Sequence, residues 1–472
     1  GRQGAQRLPG DVTVDAAAAT QTATLGRWVA ELRWDTVPDR VQRRLRLVLL
    51  DVLGVTLVGA QDPEQQRLVD VWDLVPGPAP VVGSGHRTSV EAAAWLNASA
   101  LVRLELDEGN KFAKGHPAAH GFPAVLALAA ARDAAPGDLL AALVAAYEVA
   151  SRFGRATSLR DGAHPHGSWG VSGAAAGCAR LLGLDGEATA AAIDTAAGMP
   201  VAAHFASALD GNRVRDAWMG AANVSGLNAA RLAAAGLASN TGTAAYSLGT
   251  LLGTFKAAEL TAELGQRWDV ELGYFKQHAA CSFTHAAADA VIELTTSGEL
   301  PDLAAIDSVT VETHSLATGL RRQSWDNRLS AMFSIPFVVA AALVHGEVGP
   351  DATRADALDD PAVRDLAQRV TVVGAADLDA RLPAERPVRV TVAAAGREWV
   401  VERPNPVGDS AFHPFDEQAL IALLKRLLGP ERELEAAVSV LDDLFKGVSG
   451  GAALQALSDA GSLSTRPLPA HP

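Results

Sequence analysis

Seven of the chain's twelve histidines fall in four short segments punctuated by glycine and proline. These are His116 and His120 in GHPAAH, His164 and His166 in HPHG, His204, and His278 and His285 in FKQHAACSFTH. Imidazole is the side chain whose ordinary pKa, ~6.5, lies nearest neutral pH, so such segments read as proton-transfer chemistry. The first of them, from Leu106, also carries Asp107, Glu108, Lys111 and Lys114. His116 precedes a proline, which pushes its backbone toward extended conformations. A loop is therefore expected there, with a helix beginning after Pro123 and His120 in a structural role.

The second segment places glycines at 162, 167, 170 and 173 just ahead of a helix. Such a helix start can bind a carboxylate or phosphate through its spare N–H groups, and the same glycines can equally serve close helix packing. In the third, DGNRVRDAWMG, Arg213 and Arg215 precede a helix; arginine grips carboxylates through two parallel hydrogen bonds. In the fourth, Lys276 and His278 lie where a helical texture gives way to a mixed one, a common location for sites, whereas His285 opens an alanine-rich helix and reads as structural. The Gly-x-x-x-x-Gly-Lys phosphate loop, the Gly-x-Ser-x-Gly elbow and a Gly-x-Gly-x-x-Gly turn after a strand are all missing, which disfavours nucleotide, serine-hydrolase and dinucleotide chemistry.

The elements that must position these residues are mostly helical. Apolar residues recur at helical spacing in 41–57, 124–132, 136–153, 172–182 and 220–235. The pattern predicts a large helical domain over residues 23–267, with PVVGSG (80–85) as a loop or strand. Alternating stretches at 308–313, 369–373 and 388–393, with 398–402 as hairpin partner around Gly396, predict strands. Helices over 286–296 and 333–344 lie between them, making 268–406 a smaller α+β domain. Residues 407–460 are helical again and are expected to return to the first domain, while 1–22 and 461–472 read as flexible tails.

The 472 residues carry a net charge of −14 and 49% hydrophobic residues. That balance fits a globular protein, and it disfavours nucleic acid, which needs a basic face. An anionic substrate would need a local basic island. No apolar run is long enough for a membrane span and the N-terminus has no apolar signal core. Two cysteines, Cys178 and Cys281, point to a cytoplasmic protein without a disulfide framework. Neither cysteine pairs nor a histidine ligand set with clear spacing is evident, so no metal is expected.

Four collinear blocks carry a resemblance. LDEGNKFAKGHPAAHGFPAVLALA, HPHGSWGVSGAAAGCARLLGLD, FKQHAACSFTHAAADAVIEL and SAMFSIPFVVAAALVHGEV resemble the "LDFDDTH…HPGSVVIPALLALAE", "HPTGTLGPFGAAAAAARLLGLD", "YKPYPCCRFTHPAIDAALEL" and "FSLPYAVAAALLDGEV" blocks of the MmgE/PrpD family. The family includes 2-methylcitrate dehydratase, cis-aconitate decarboxylase and iminodisuccinate epimerase. The resemblance implies a cofactor-free homodimer with a large helical domain and a smaller α+β lid. It carries over Asp107, His116, His164 and Lys276 as catalytic. Three positions depart from the family pattern: Lys111 stands for threonine, Arg215 for lysine and Phe337 for tyrosine. Gly109 and Asn110 also replace aspartates.

Together the motifs and the resemblance imply a lyase acting beside a carboxylate of a small di- or tricarboxylate. Charge building on that carboxylate must be neutralised by cations, for which Arg215, Lys276 and Lys111 are candidates. His116 and His164 form the acid/base pair, with the two roles unassigned, and Asp107 orients a histidine or holds a cation. Arg213, His278 and Phe337 complete the expected substrate contacts. Dehydration leads this reading. Epimerisation and decarboxylation are the alternatives, and a non-enzymatic binding protein comes last.

Overall fold

The computed structural model describes residues 12–430 and 434–460. It is mainly helical. The chain opens with α1 (Val12–Glu31), α2 (Asp39–Ala60) and the short α3 (Pro63–Asp70), followed by a hairpin of β1 (Ala79–Val81) and β2 (His86–Thr88). Residues 12–22, expected as tail, therefore belong to a helix, which packs along a later one because its apolar face continues that of 23–31. The remainder of both expected tails, 1–11 and 461–472, lies outside the described residues.

Next come α4 (Val90–Val102), α5 (Pro117–Arg132), α6 (Pro136–Ala156), β3 (Thr157–Leu159), α7 (Val171–Leu181), α8 (Gly186–Ala197), α9 (Phe205–Leu209) and α10 (Val214–Ala234). Alanine and glycine on the facing surfaces let these helices approach closely. Gly59 of α2 shows how closely: a Cβ built there would lie 1.8 Å from the Ala100 carbonyl oxygen of α4. Past α10 the helical expectation fails locally. Residues 245–251 form a π-turn segment, and β4 (Gly253–Phe255) pairs antiparallel with β3.

The smaller region holds α11 (Ser282–Ser297), β5 (Ser308–Thr313), α12 (Arg328–Met332), α13 (Ile335–His345), α14 (Pro361–Ala367), β6 (Val370–Gly374), α15 (Ala376–Asp379), β7 (Val388–Ala394) and β8 (Arg397–Arg403). Its sheet has the order β6-β5-β7-β8, with β5 and β6 parallel and the other pairs antiparallel. Alternation decides the faces: Val388, Val390, Val392 and Ala394 are buried and the residues between them are half-buried. The β7–β8 turn puts Ala395 and Gly396 at positive φ, the primed geometry that suits a tight hairpin. Finally α16 (Glu417–Leu428) and α17 (Glu435–Phe445) pack on α2.

Buried apolar side chains form two cores. One gathers Leu25 to Ala279 with Leu420 to Ala460; the other gathers Ala280 to Trp399 with Ala208 of α9. No helix among the described residues is long and apolar enough to cross a membrane. Both cysteines are free and buried.

The α2–α4 approach makes a specific prediction. Gly59→Ala should gain about 1 kcal/mol from helix propensity but lose about 1–3 kcal/mol to overpacking. A thermal melt should show a lower Tm than wild type, and a raised Tm would mean the two helices stand farther apart.

Candidate functional site

His116 sits at a helix boundary. Pro117 occupies the first position of α5, so His116 is its N-terminal flanking residue, with non-helical φ −122° and ψ 82°. The helix thus begins six residues before Pro123, contrary to expectation, and Pro123 lies within it. A proline inside a helix strips the carbonyl one turn earlier of its donor. Asn223 of α10 repairs this break: its amide donates to the Ala119 carbonyl at 2.8 Å and its Oδ1 accepts from the Ala124 N–H at 3.0 Å. A buried side chain 104 residues away thereby lets the helix that carries His120 continue past Pro123.

Hydrogen bonds then fix the tautomers. His116 Nδ1 donates to the Glu108 carbonyl at 2.7 Å, and Asp107 Oδ2 lies 3.1 Å from the same nitrogen. His120 Nε2 accepts from the Gly167 N–H at 3.0 Å, so its Nδ1 carries the proton that meets the His116 carbonyl at 2.7 Å. His120 is therefore structural, as expected. His164 Nδ1 accepts from the His166 N–H at 3.0 Å, which leaves the neutral ring's proton on Nε2. Neutral His116 thus presents a lone pair at Nε2 and neutral His164 presents an N–H there. Neither Nε2 has a protein hydrogen bond among the described residues.

Between them stands His166, buried, with its ring centroid 4.5 Å from that of His164 and 5.1 Å from that of His116. Neither of its ring nitrogens has a hydrogen-bond partner. Burial pushes His116 and His164 down to about 3 and His120 to about 4, with the Lys276 ammonium adding to the effect on His116. His166 is driven well below its ordinary value by burial and by its imidazole neighbours. All four rings are neutral at neutral pH. Beneath them burial lifts the Glu108 carboxyl to about 7, although the Ala118 N–H and the Tyr147 hydroxyl donate to it.

The glycines of the second segment serve packing. A Cβ at Gly170 would fall 2.2 Å from the His120 ring, and one at Gly173 would fall 2.5 Å from the Ala146 carbonyl oxygen. The helix start that reaches the site is instead that of α11, where Cys281, Ser282 and Phe283 join His116, His164 and His166 around a cavity of about 560 Å³. A larger cavity of about 770 Å³ lies elsewhere, between Asp62 and Arg364, and no histidine lines it.

Of the nine expected site residues, the fold brings five together. His116, His164 and Arg215 line the smaller cavity; Asp107 and Lys276 are buried directly behind it. The other four are elsewhere. Lys111 is buried in an ion pair with Asp409 at 3.0 Å, a partner supplied by the returning segment. Arg213 lies two residues from Arg215 on a helix start, hence on another side, and pairs with Glu64 at 2.6 Å at the rim of the larger cavity. His278 is held by Asp289 at 2.8 Å. Phe337 is core, edge-on to Trp325 with ring centroids 4.8 Å apart.

Three residues at the cavity escaped the sequence reading. His166 was visible in HPHG but had no feature separating it from its neighbours. Glu105, one residue ahead of the first block, has φ +56° and pairs with both Arg215 and Lys276, the latter at 3.3 Å. Arg386 is 6% exposed and donates to Ser282 Oγ at 3.1 Å and Tyr274 Oη at 3.4 Å. No ion pair ties Arg386 to a carboxylate among the described residues. Nothing in its local sequence, ERPVRV, marks it.

Asp107, His116 and His166 also place one ligand atom each within 4.8 Å of one another, a spacing that can hold a metal ion. The ligand set that the sequence did not disclose is thus assembled by the fold. The neighbouring Lys276 ammonium works against a cation there, as it does against protonation of His116.

A family model for the MmgE/PrpD N-terminal domain matches residues 23–263, and one for the C-terminal domain matches 278–443. The chain belongs to the MmgE/PrpD family. It is similar to the cis-aconitate decarboxylase-like protein oryM of Aspergillus oryzae, at 30% identity over 76% of this chain and 80% of that protein. The cis-aconitate decarboxylase of Aspergillus terreus is 25% identical over 90% of this chain and 93% of its own length. The cis-aconitate decarboxylase of Mus musculus is 26% identical over 74% and 75%. The chain is accordingly a lyase-type member of the MmgE/PrpD family. Within that framework His166 stands where the family block quoted above has threonine.

The buried imidazoles have a consequence for stability. The folded His164 pKa of about 3 lies below the unfolded ~6.5, so its contribution is fully present above pH 6.5 and is lost as pH falls toward 3. Glu108 runs the other way, stabilising the fold below its unfolded value and losing that contribution as pH rises through about 7. In urea titrations between pH 6.5 and 4, His164→Gln should therefore show an acid loss shallower than wild type by up to about 1.4 kcal/mol per pH unit. Parallel slopes would mean that His164 titrates normally in the folded protein.

Proposed function

We propose that the chain is a carboxy-lyase that releases CO₂ from a small unsaturated polycarboxylate of the cis-aconitate kind. The observation that carries this reading is the pairing, around one cavity, of two imidazoles of opposite Nε2 character with a buried guanidinium that lacks a counter-ion. The reaction class comes from the relatives named above, all decarboxylases or decarboxylase-like. Dehydration, the leading expectation from sequence, therefore yields to decarboxylation, which stood among its alternatives.

The chemistry needs three provisions. The departing carboxylate must be poorly solvated, because charge leaves it as CO₂ forms; neutral imidazoles and aromatic walls offer such surroundings. The electron pair left on carbon must spread through the adjacent double bond into a retained carboxylate, whose growing charge Arg386 neutralises. A proton must then reach carbon. His116 Nε2 takes up that proton when the anionic substrate enters, since a nearby negative charge favours the imidazolium. It then delivers the proton as the C–C bond breaks, so one proton is consumed for each CO₂ released. His164 Nε2–H donates to a substrate oxygen, and Asp107 holds the His116 ring.

Incubation in D₂O with a panel of unsaturated di- and tricarboxylates should release CO₂ from at least one of them and place one deuterium on its product. His116→Gln should lower kcat about 10²–10⁴-fold. Loss of water without CO₂ from a panel of hydroxy- and unsaturated polycarboxylates would return the assignment to dehydration. Calorimetric titration of a polycarboxylate in buffers of different ionisation enthalpy should report proton uptake at pH 7 that is absent in His116→Gln. Uptake unchanged in that variant would move the proton carrier to another group.

A further inference from the structure

The cations expected to bind substrate are already occupied. Glu105 is buried, and its carboxylate pairs with Arg215 on one side and Lys276 on the other; Lys276 Nζ also donates to the Glu105 carbonyl at 2.9 Å. Arg215 Nη1 also donates to the Val102 carbonyl at 2.7 Å and pairs with Asp216 at 3.2 Å, while its Nε has no hydrogen-bond partner. A substrate carboxylate at this end of the cavity would meet a carboxylate of the protein itself. At the mouth, Lys114 Nζ donates to the Thr157 carbonyl at 2.8 Å and Arg160 to the Thr250 carbonyl at 2.7 Å. Asp161 on the same rim adds a negative charge. Arg386 is left as the buried cation of the lining without an anionic partner, beside the N-terminus of α11, which no side chain caps.

Much of the remaining wall is apolar, with Ser158, Ser315 and Thr318 among the polar exceptions. Phe205, Phe283, Phe333, Trp169, Leu316 and Leu320 all line the cavity. Its volume, about 560 Å³, equals the share of roughly nineteen liquid waters at ~30 Å³ each, whereas aconitate has about a dozen non-hydrogen atoms packed more tightly by covalent bonds. A bare tricarboxylate would leave much of this space empty and set its third charge against Glu105.

We propose that the substrate is an unsaturated dicarboxylate bearing an apolar chain, anchored by its retained carboxylate on Arg386, and that Glu105 sets specificity against a further carboxylate at Lys276 and Arg215. The proposal rests on the decarboxylase reading for its reaction and on the cavity alone for its ligand. The chain lies along the aromatic wall, and the departing carboxylate faces the neutral imidazoles. Glu105 discriminates by repulsion: with Asp216, which also pairs with Arg215, it offsets the charges of both cations.

Calorimetric titration of the full chain with two saturated acids tests the ligand separately from the reaction, because neither acid can lose CO₂ through a conjugated double bond. 2-Hexylsuccinate should bind at least roughly tenfold more tightly than tricarballylate, the scale on which buried methylenes discriminate. Glu105→Gln should strengthen tricarballylate at least roughly tenfold, since two buried cations then seek a carboxylate, and leave 2-hexylsuccinate nearly unchanged. Leu316→Trp, at a wall position that is 43% exposed, should weaken 2-hexylsuccinate about tenfold and spare tricarballylate. If Glu105→Gln does not fold, the Leu316→Trp pattern decides. Tighter binding of tricarballylate by wild type, or equal effects of Leu316→Trp on both acids, would overturn the proposal. Absence of CO₂ release from any unsaturated acid, with the binding preference intact, would overturn only the decarboxylase reading.

Discussion

The site depends on one buried carboxylate. Glu105 follows α4 in a left-handed conformation that non-glycine residues seldom adopt, and from there it ties Arg215 at the start of α10 to Lys276 at the junction of the two cores. Two cations with almost no solvent access would be strongly unfavourable alone; with Glu105 between them they join three segments far apart in sequence. The backbone strain is held at the point where it aims a charge into the cavity wall. Arg215 and Lys276 are thereby held as architecture, and Arg386 is the buried cation of the cavity lining left without a carboxylate partner among the described residues.

A second constraint is dryness. Four imidazoles packed against Trp169, Trp218 and Phe205 lose the water that would favour their charged forms. Their low proton affinity follows from this burial more than from any one neighbour. An enzyme needing a base near neutral pH gains little from such groups at rest. An anion entering the cavity changes that balance, because its charge restores basicity to the ring it touches. In the mechanism proposed above, binding and protonation are therefore one event. The glycines that crowd His120 and Trp169 serve it indirectly, by keeping the cluster compact enough to exclude solvent.

Much of the fold was legible in the sequence, and the reasons are local. Helical periodicity placed α6 and α7 within a few residues, and strict alternation placed β5, β7 and β8 with their hairpin turn. These signals depend only on which side of an element meets water. Periodicity failed where distant contacts decide. Pro123 was taken for a boundary because the Asn223 amide that replaces its lost hydrogen bond comes from another helix. The segment around 245–255 lost its helix to pairing with β3, a partner almost a hundred residues earlier.

For the site, sequence determined the residue types: histidines near prolines, a carboxylate before them, a lysine in one of the blocks that resemble the MmgE/PrpD family, and an arginine in DGNRVRDAWMG. Tertiary structure decided which of these are available. Lys111 and His278 were removed by Asp409 and Asp289, Arg213 by its helical phase, and Phe337 by the core. Arg386 and Glu105 were brought in with no motif to announce them. The physical reason is that a charged side chain's role is set by the charges within a few ångströms of it. Many of those neighbours come from distant segments, as Asp409 does for Lys111, 298 residues away, so chain order names the candidates and only the folded packing pairs them or leaves them free.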